Sequence, residues 1–532
     1  MIRWPELYAS VSLSALFEIS SHNFFPLNAH SDSYCSTISM GGEVPYLAVE
    51  LISRILESCT SKATVAVAAQ CSRQWYGIAM PLLYHHVDID NPQYYEPRKP
   101  YLKSLAVLFL SKPDIAAHVR HFSLRPGFED GPEWESGEGL DGDREWDSAL
   151  PEKIQEAIAS ISCSDEERMT WLKEADCDDS FLALLLPTLP NLVSLDLMGP
   201  WHAKHTERML WRFGTGAERG SALTNLKSLF WTYQHVACAP VGAIVSPGIF
   251  AMPSIERIYL HRALGGYGDK VDERLAQFSP RISTCTHLEL RDCRFHPSDV
   301  QNLFLIPKAL STFIYDIGRD QLYYCTVSFS TIRQGLEHHK ETLEELCLDY
   351  CHDGIKLEPG MLDDPSPMTP LNEFPRLKRL KIAPVFIHGM SLPPETAHAA
   401  DQYPRILDFL PKSIEQLQLT HCEEPDNLQI LLNALANILI KKVTHVPTLY
   451  QIVVEIDFSL VEKLADKFAR ILKLAEDVGT NIVLLNNFGC SEDKGRSKRV
   501  ERKWGFNEDI EWKECYKFVN YRPIYKAIDV QH

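Results

Sequence analysis

No stretch of this 532-residue chain approaches the roughly 18 apolar residues of a membrane span. LQILLNALANILIKK (Leu428 to Lys442) is too short and carries polar breaks. Basic residues are in deficit, with 53 Lys and Arg against 71 Asp and Glu and a net charge of −18. Broad binding to nucleic acid or to anionic membrane needs basic surface and is not expected. The 14 cysteines are scattered from Cys35 to Cys515 without a Cys-x-x-Cys pair. That excludes zinc ribbons, thioredoxin-like redox motifs and dense disulfide scaffolds. A reducing, intracellular compartment, cytoplasm or nucleus, is the expectation. Gly-x-Ser-x-Gly, His-Glu-x-x-His and a Walker-type phosphate loop are absent, so no motif nominates nucleophilic, metal-dependent or phosphoryl-transfer chemistry. An enzyme, a cofactor and a metal are not expected.

Hydrophobic residues make up 45% and charged residues 23%, the balance of a globular protein with a sizeable core. Residues 1–43 read as a flexible leader, 44–89 as a compact helical module and 90–186 as a connecting region. Within the connection, FEDGPEWESGEGLDGDREWD (128–147) holds nine acidic residues and four glycines. Such a segment buries too little apolar surface to offset its ordering entropy and reads as a solvated loop. Residues 187–456 are repetitive, and 457–532 read as a helical cap and polar tail.

The repeat unit is apolar-x-x-apolar-x-apolar, as Leu192/Leu195/Leu197 in PNLVSLDL. It recurs at Leu226/Leu229/Trp231, Ile255/Ile258/Leu260, Cys285/Leu288/Leu290 and Leu310/Phe313/Tyr315. It continues at Leu343/Leu346/Leu348, Leu377/Leu380/Ile382, Ile414/Leu417/Leu419 and Leu449/Ile452/Val454. Val119/Phe122/Leu124 is a candidate earlier, degenerate copy. Six of the nine copies place Pro two or three residues before the first apolar position (Pro190, Pro253, Pro307, Pro375, Pro411, Pro447), where counting predicts roughly one. Proline there fixes φ and removes a donor before the ladder begins. Three copies place Cys three residues after the last apolar position: Cys293, Cys351 and Cys422. These features resemble leucine-rich repeats. The resemblance implies an irregular α/β solenoid, a parallel sheet with helices on its outer face, with the small Cys packed at the turn after the strand. An ordinary α/β domain with similar strands is the alternative.

In 44–89, Leu51, Ile52, Ile55 and Leu56 have the spacing of an apolar helical stripe, predicting a helix over Val49–Ser58. A second helix is expected over Thr64–Cys71 and a third from Arg73 to Met80, ended by Pro81, with LLYHHVDI entering a strand. CSRQWYGIAMPLLYHHVDI, preceded by Pro45, Glu50–Leu51 and Ile55–Leu56, is similar to the F-box of fungal F-box–leucine-rich-repeat proteins. That family has Leu-Pro-x-Glu-Leu, whereas four residues separate Pro45 from Glu50 here. The resemblance implies a three-helix F-box that docks on a Skp-type linker of a cullin ubiquitin ligase, with the repeats presenting a protein substrate. It implies linker contacts at Pro45, Leu51, Ile55 and Leu56, and an F-box core residue at Trp75. A repeat scaffold not linked to ubiquitination is the competing reading.

On a strand, the residues between the apolar positions face the open side of the sheet. This places Phe230, Arg257 and Tyr259 together as candidate substrate contacts, because exposed aromatics and Arg are enriched at interface hot spots. Arg379 and Lys381 form a second, basic spot suited to an acidic or phosphorylated segment. His85 and His86, read as adjacent strand residues, point to opposite faces and do not converge on one ion. KGRSKRVERK (Lys494–Lys503), with six basic residues in ten, reads as a solvated loop before a nuclear signal or nucleic-acid contact.

Overall fold

The structure, a computed structural model, describes residues 48–59, 61–90, 101–125, 150–161, 164–174, 178–199, 204–216, 222–233, 247–261, 263, 280–293, 295–317, 327–350, 362–364, 366–389, 406–422, 425–456 and 464–486. The leader, Pro45, the acidic segment 128–147, Cys351 and Lys494–Lys503 lie outside the described residues. The chain divides into two compact units, Met1–Leu226 and Lys227–His532.

The first unit opens with three helices, α1 (Val49–Glu57), α2 (Lys62–Ala69) and α3 (Arg73–Tyr84). Ser72 caps α3, its side-chain oxygen accepting from the Trp75 amide at 3.2 Å, as short hydroxyl side chains do at helix starts. Pro81 does not end α3, contrary to expectation; the helix runs on to Tyr84. An interior proline costs about 3 kcal/mol. Continuing the helix buries Leu83 at 1% and Tyr84 at 3% exposure, at about 1.5–3 kcal/mol for such a side chain. The carbonyl deprived of a partner belongs to Gly77, an exposed residue that water can reach. Three parallel strands follow: β1 (His86–Asp90) pairs with β2 (His121–Arg125), and β2 with β3 (Ser194–Gly199). Residues 90–186 are thus more than a connection, since Phe122 and Leu124 are buried repeat positions on β2. Helices α4 (Tyr101–Ser111), α5 (Glu152–Ile161), α6 (Asp165–Glu174) and α7 (Asp178–Leu185) supply a core that includes Phe109 and Trp171.

The second unit carries a long parallel sheet whose strands pair in chain order, beside a short two-stranded one of Val327–Ser328 and Leu362–Asp364. The strands of the long sheet are β4 (Ser228–Tyr233), β5 (Arg257–His261), β6 (His287–Cys293), β7 (Thr312–Ile317) and β8 (Glu345–Tyr350). Then come β9 (Arg379–Ile382), β10 (Gln416–Leu419), β11 (Gln451–Ile456) and β12 (Asn481–Asn486). Register places the middle apolar residue of each copy in one row: Leu229, Ile258, Leu288, Phe313, Leu346, Leu380, Leu417 and Ile452. The last apolar residues form a second row, and both rows are buried. Between strands lie α8 (Pro297–Leu305), α9 (Phe329–Glu337), α10 (Pro425–Ile440) and α11 (Ala465–Asp477). The result is an α/β, solenoid-like stack in which each repeat completes the core of its neighbour.

The repeat extends past residue 456. After α11 the chain forms β12, parallel to β11 over six residue pairs, and Ile482 and Leu484 continue the buried rows. The segment expected to be a helical cap therefore contributes a strand, because NIVLLN supplies the same alternating apolar pair.

A polar ladder joins successive repeats at the strand entries. In four copies the residue just before the first apolar position donates a side-chain hydrogen bond to a carbonyl of the preceding repeat. Thr284 reaches Ile255 at 2.8 Å, Thr342 reaches Leu310 at 2.7 Å, Ser413 reaches Leu377 at 2.8 Å and Thr448 reaches Ile414 at 2.8 Å. In the first unit Asn191 does the same to Ala117 and Asn225 to Pro190. These bonds satisfy strand-entry carbonyls that the ladder does not use.

Candidate interaction surface

Two surfaces answer to the sequence expectations, one in each unit. On α1, Leu51 is 50% and Ile55 44% exposed, while Ile52 and Leu56 are buried at 1% and 2%. The stripe is split: one edge packs inward and the other faces out. Leu56, expected as a contact residue, is core and unavailable. Val49, at 47% exposure, joins the outward set. Trp75 is only half-buried; the buried residues of α3 are Ala79, Met80, Leu83 and Tyr84. The side chains of α3 that enter the core lie in its C-terminal half.

His85 closes α3 and His86 opens β1, so they are not two residues of one strand. Both rings lie beside His121, with centroids 5.2 and 5.5 Å away, correcting the expectation that they diverge. Burial and the neighbouring His86, His85 and Arg120 lower the His121 pKa. Among the described residues, no group of three or more His, Cys, Asp or Glu is placed to hold a metal ion.

In the second unit the residues between the buried rows face the open side of the sheet. Phe230 and Tyr259 are register partners with ring centroids 5.3 Å apart, the offset spacing that aromatic pairs favour. Phe230 is only 8% exposed, whereas Tyr259 and Arg257 are half-buried. The structure brings these three together, with Tyr259 as the accessible ring. Next to them Glu289, 2% exposed, is held by His287 at 2.7 Å and Arg291 at 3.1 Å. Burial alone would raise its carboxyl, but Arg291 and His287 outweigh burial and bring it down to about 2.

The basic spot at Arg379 and Lys381 is already occupied from within. Lys381 is 3% exposed and ion-paired with Asp349 on β8, and Arg379 is paired with Glu345 on the same strand. Strand register causes this, because Lys381 stands beside Cys347 and Arg379 beside Glu345. An incoming anion would have to displace a carboxylate, so these residues are not an open anion site. Burial would raise the Asp349 carboxyl and lower the Lys381 ammonium, but each holds the other charged. His421, in the left-handed region at φ 51°, donates from Nε2 to Asp349 Oδ1 at 3.0 Å and stacks on Tyr350 at 3.8 Å. Cys293 is buried as the last residue of β6 rather than at a turn after it, and Cys422 is buried just beyond β10, with the Cys293 thiol donating to the Leu260 carbonyl at 3.4 Å and the Cys422 thiol to the Thr420 carbonyl at 3.4 Å.

The leucine-rich repeat domain family matches residues 222–488, half of the chain. The chain belongs to the leucine-rich repeat family. No curated protein matches the sequence. As a leucine-rich repeat protein it presents a regular sheet face, the element such domains use for protein interaction. Sequence reasoning had not found the Thr and Ser ladder or the internal neutralisation of Lys381. The first had a legible signal, a short hydroxyl or amide residue before the first apolar position. The second had none, since its partners lie 32 and more residues apart. Among the described residues, no helix is long and apolar enough to cross a membrane.

Proposed function

We propose that this leucine-rich repeat protein is a substrate-recognition adaptor: the α1–α3 module is an F-box that docks on a Skp-type linker of a cullin ubiquitin ligase, and the open face of the repeats holds a protein substrate. The observation that carries this reading is the outward pair Leu51 and Ile55 on α1, 50% and 44% exposed. A three-helix module of this size leaves such apolar groups to be covered by a partner helix. The sequence similarity of CSRQWYGIAMPLLYHHVDI to F-boxes supports it, as does the order of helical module and then repeats. Substrate contact falls to Tyr259 and Arg257, with Phe230 backing the tyrosine ring. No cofactor or metal enters this function. Co-purification of the full chain with a Skp-type linker tests it: the linker should be retained by the wild type and lost by Leu51→Asp/Ile55→Asp. Retention by neither would leave a repeat scaffold outside ubiquitination.

A further inference from the structure

One region of the open face carries an unbalanced set of buried charges. Asp349 on β8 and Glu455 on β11 occupy the same level of the sheet, 7% and 4% exposed. Between them run β9 and β10, whose register partners Lys381 and Gln418 stand one level below. Lys381 pairs with Asp349, and the Gln418 amide donates to Glu455 Oε1 at 2.6 Å. Two carboxyls thus share one ammonium, and the position that would hold the second cation holds a neutral amide.

Of the other groups facing the cluster, His421 favours the charged form of both carboxyls, but burial outweighs it at Glu455. Thr420 donates to Asp349 at 3.0 Å, and His421 is bonded to the same carboxylate oxygen. Asp316 and Cys347 add only negative potential at Lys381. On β12 the register partner of Glu455 is Leu485, which carries no charge. A buried carboxylate without a counterion is expensive, and neutralisation by a proton is the cheapest remedy.

We propose that Glu455 is a proton-linked switch of the open face, taking up a proton to match its Gln418 partner and releasing it to leave the Asp349–Lys381–Glu455 cluster with a net negative charge. The proton goes to and from solvent, and no other bond changes. Burial, only partly offset by Lys381, pushes the Glu455 carboxyl up to about 7, which places the change near neutrality. Its value as a regulator rests on the reading that a partner binds this face: a cationic partner segment would bind more tightly above that pH. The device itself does not depend on any partner, so its test is independent of the adaptor reading.

The sign is fixed by linkage. A carboxyl raised in the folded state binds a proton that the unfolded chain, near 4.5, has already released. Stability therefore falls as pH rises from about 5 to about 7, by up to about tenfold in the unfolding equilibrium constant per pH unit, and is flat above. His339 and His388, both lowered to about 4 by burial, titrate with the opposite sign. The wild-type curve alone therefore does not isolate Glu455, and the ratio to a variant does.

Urea denaturation of the full chain from about pH 5 to 8 should show the wild type losing stability relative to Glu455→Gln across that window. Gln418→Lys, which supplies the missing cation, should also lack the wild-type fall. Equal pH dependence of wild type and Glu455→Gln would overturn the proposal, as would an unchanged fall in Gln418→Lys. Should either variant not fold, the infrared band of a protonated carboxyl in the native wild type decides. It should be present at about pH 6 and gone above about pH 8, and its absence at the lower pH contradicts the switch.

Discussion

The Thr342 hydroxyl donates to the Leu310 carbonyl of the preceding repeat at 2.7 Å. This bond recurs at Thr284, Ser413 and Thr448, so it is a property of the stack. Thr342→Val keeps the shape but leaves the Leu310 carbonyl unsatisfied. It should cost about 1 kcal/mol in urea denaturation, while Glu341→Ala on the exposed turn beside it should stay within about 0.5 kcal/mol.

The pair of Lys381 and Asp349 is buried on both sides, so removing one partner strands the other. Lys381→Ala should destabilise the second unit by about 3–5 kcal/mol, and replacing both residues by apolar side chains should cost much less. Asp349 is held below its usual range. Its contribution is therefore present above the unfolded value near 3.8 and lost as pH falls through the folded one. In Lys381→Ala this acid sensitivity should shrink, which a pH series of thermal unfolding would show.

Gly335 sits on α9 where a Cβ would lie 2.0 Å from Phe304 Cδ2 on α8. Alanine is the better helix former by about 1 kcal/mol, yet the clash reverses the sign. Gly335→Ala should destabilise by about 1–3 kcal/mol, and adding Phe304→Leu should recover part of the loss. A stabilised single variant would show that the two helices are spaced more widely.

His339 accepts from the Leu310 amide at 3.2 Å and bonds the Phe304 carbonyl at 2.8 Å, so its ring is neutral and fixed. Burial lowers it to about 4. The unfolded chain takes a proton near 6.5 that the folded chain refuses, so stability is lost as pH falls from about 6.5 toward 4. His339→Gln should flatten that part of the denaturation profile.

All nine repeat copies read from the sequence lie on strands, from Leu195 on β3 to Ile452 on β11, because two alternating apolar rows are a local pattern. The first strand, β1, lies where LLYHHVDI reads as entering a strand, whereas β12 goes unmarked because Ile482/Leu484 lack the preceding proline that marks most of the copies. Exposure was harder to read. Leu51 and Leu56 are both apolar stripe residues, and only packing against α3 decides that the second is buried. The charges were least legible: Lys381 finds Asp349 through strand register, and no short-range pattern announces a pairing across 32 residues.

Docking through α1 uses the outward edge of the helix, Leu51 and Ile55, while Ile52 and Leu56 on its inward edge hold the fold. Titration of a purified Skp-type linker into the full chain by calorimetry tests this most directly. The wild type should bind, and Leu51→Asp/Ile55→Asp should lose at least about 2 kcal/mol, or roughly thirtyfold in Kd, with its thermal unfolding unchanged. Equal affinity of the double variant, or no binding by the wild type, would contradict it.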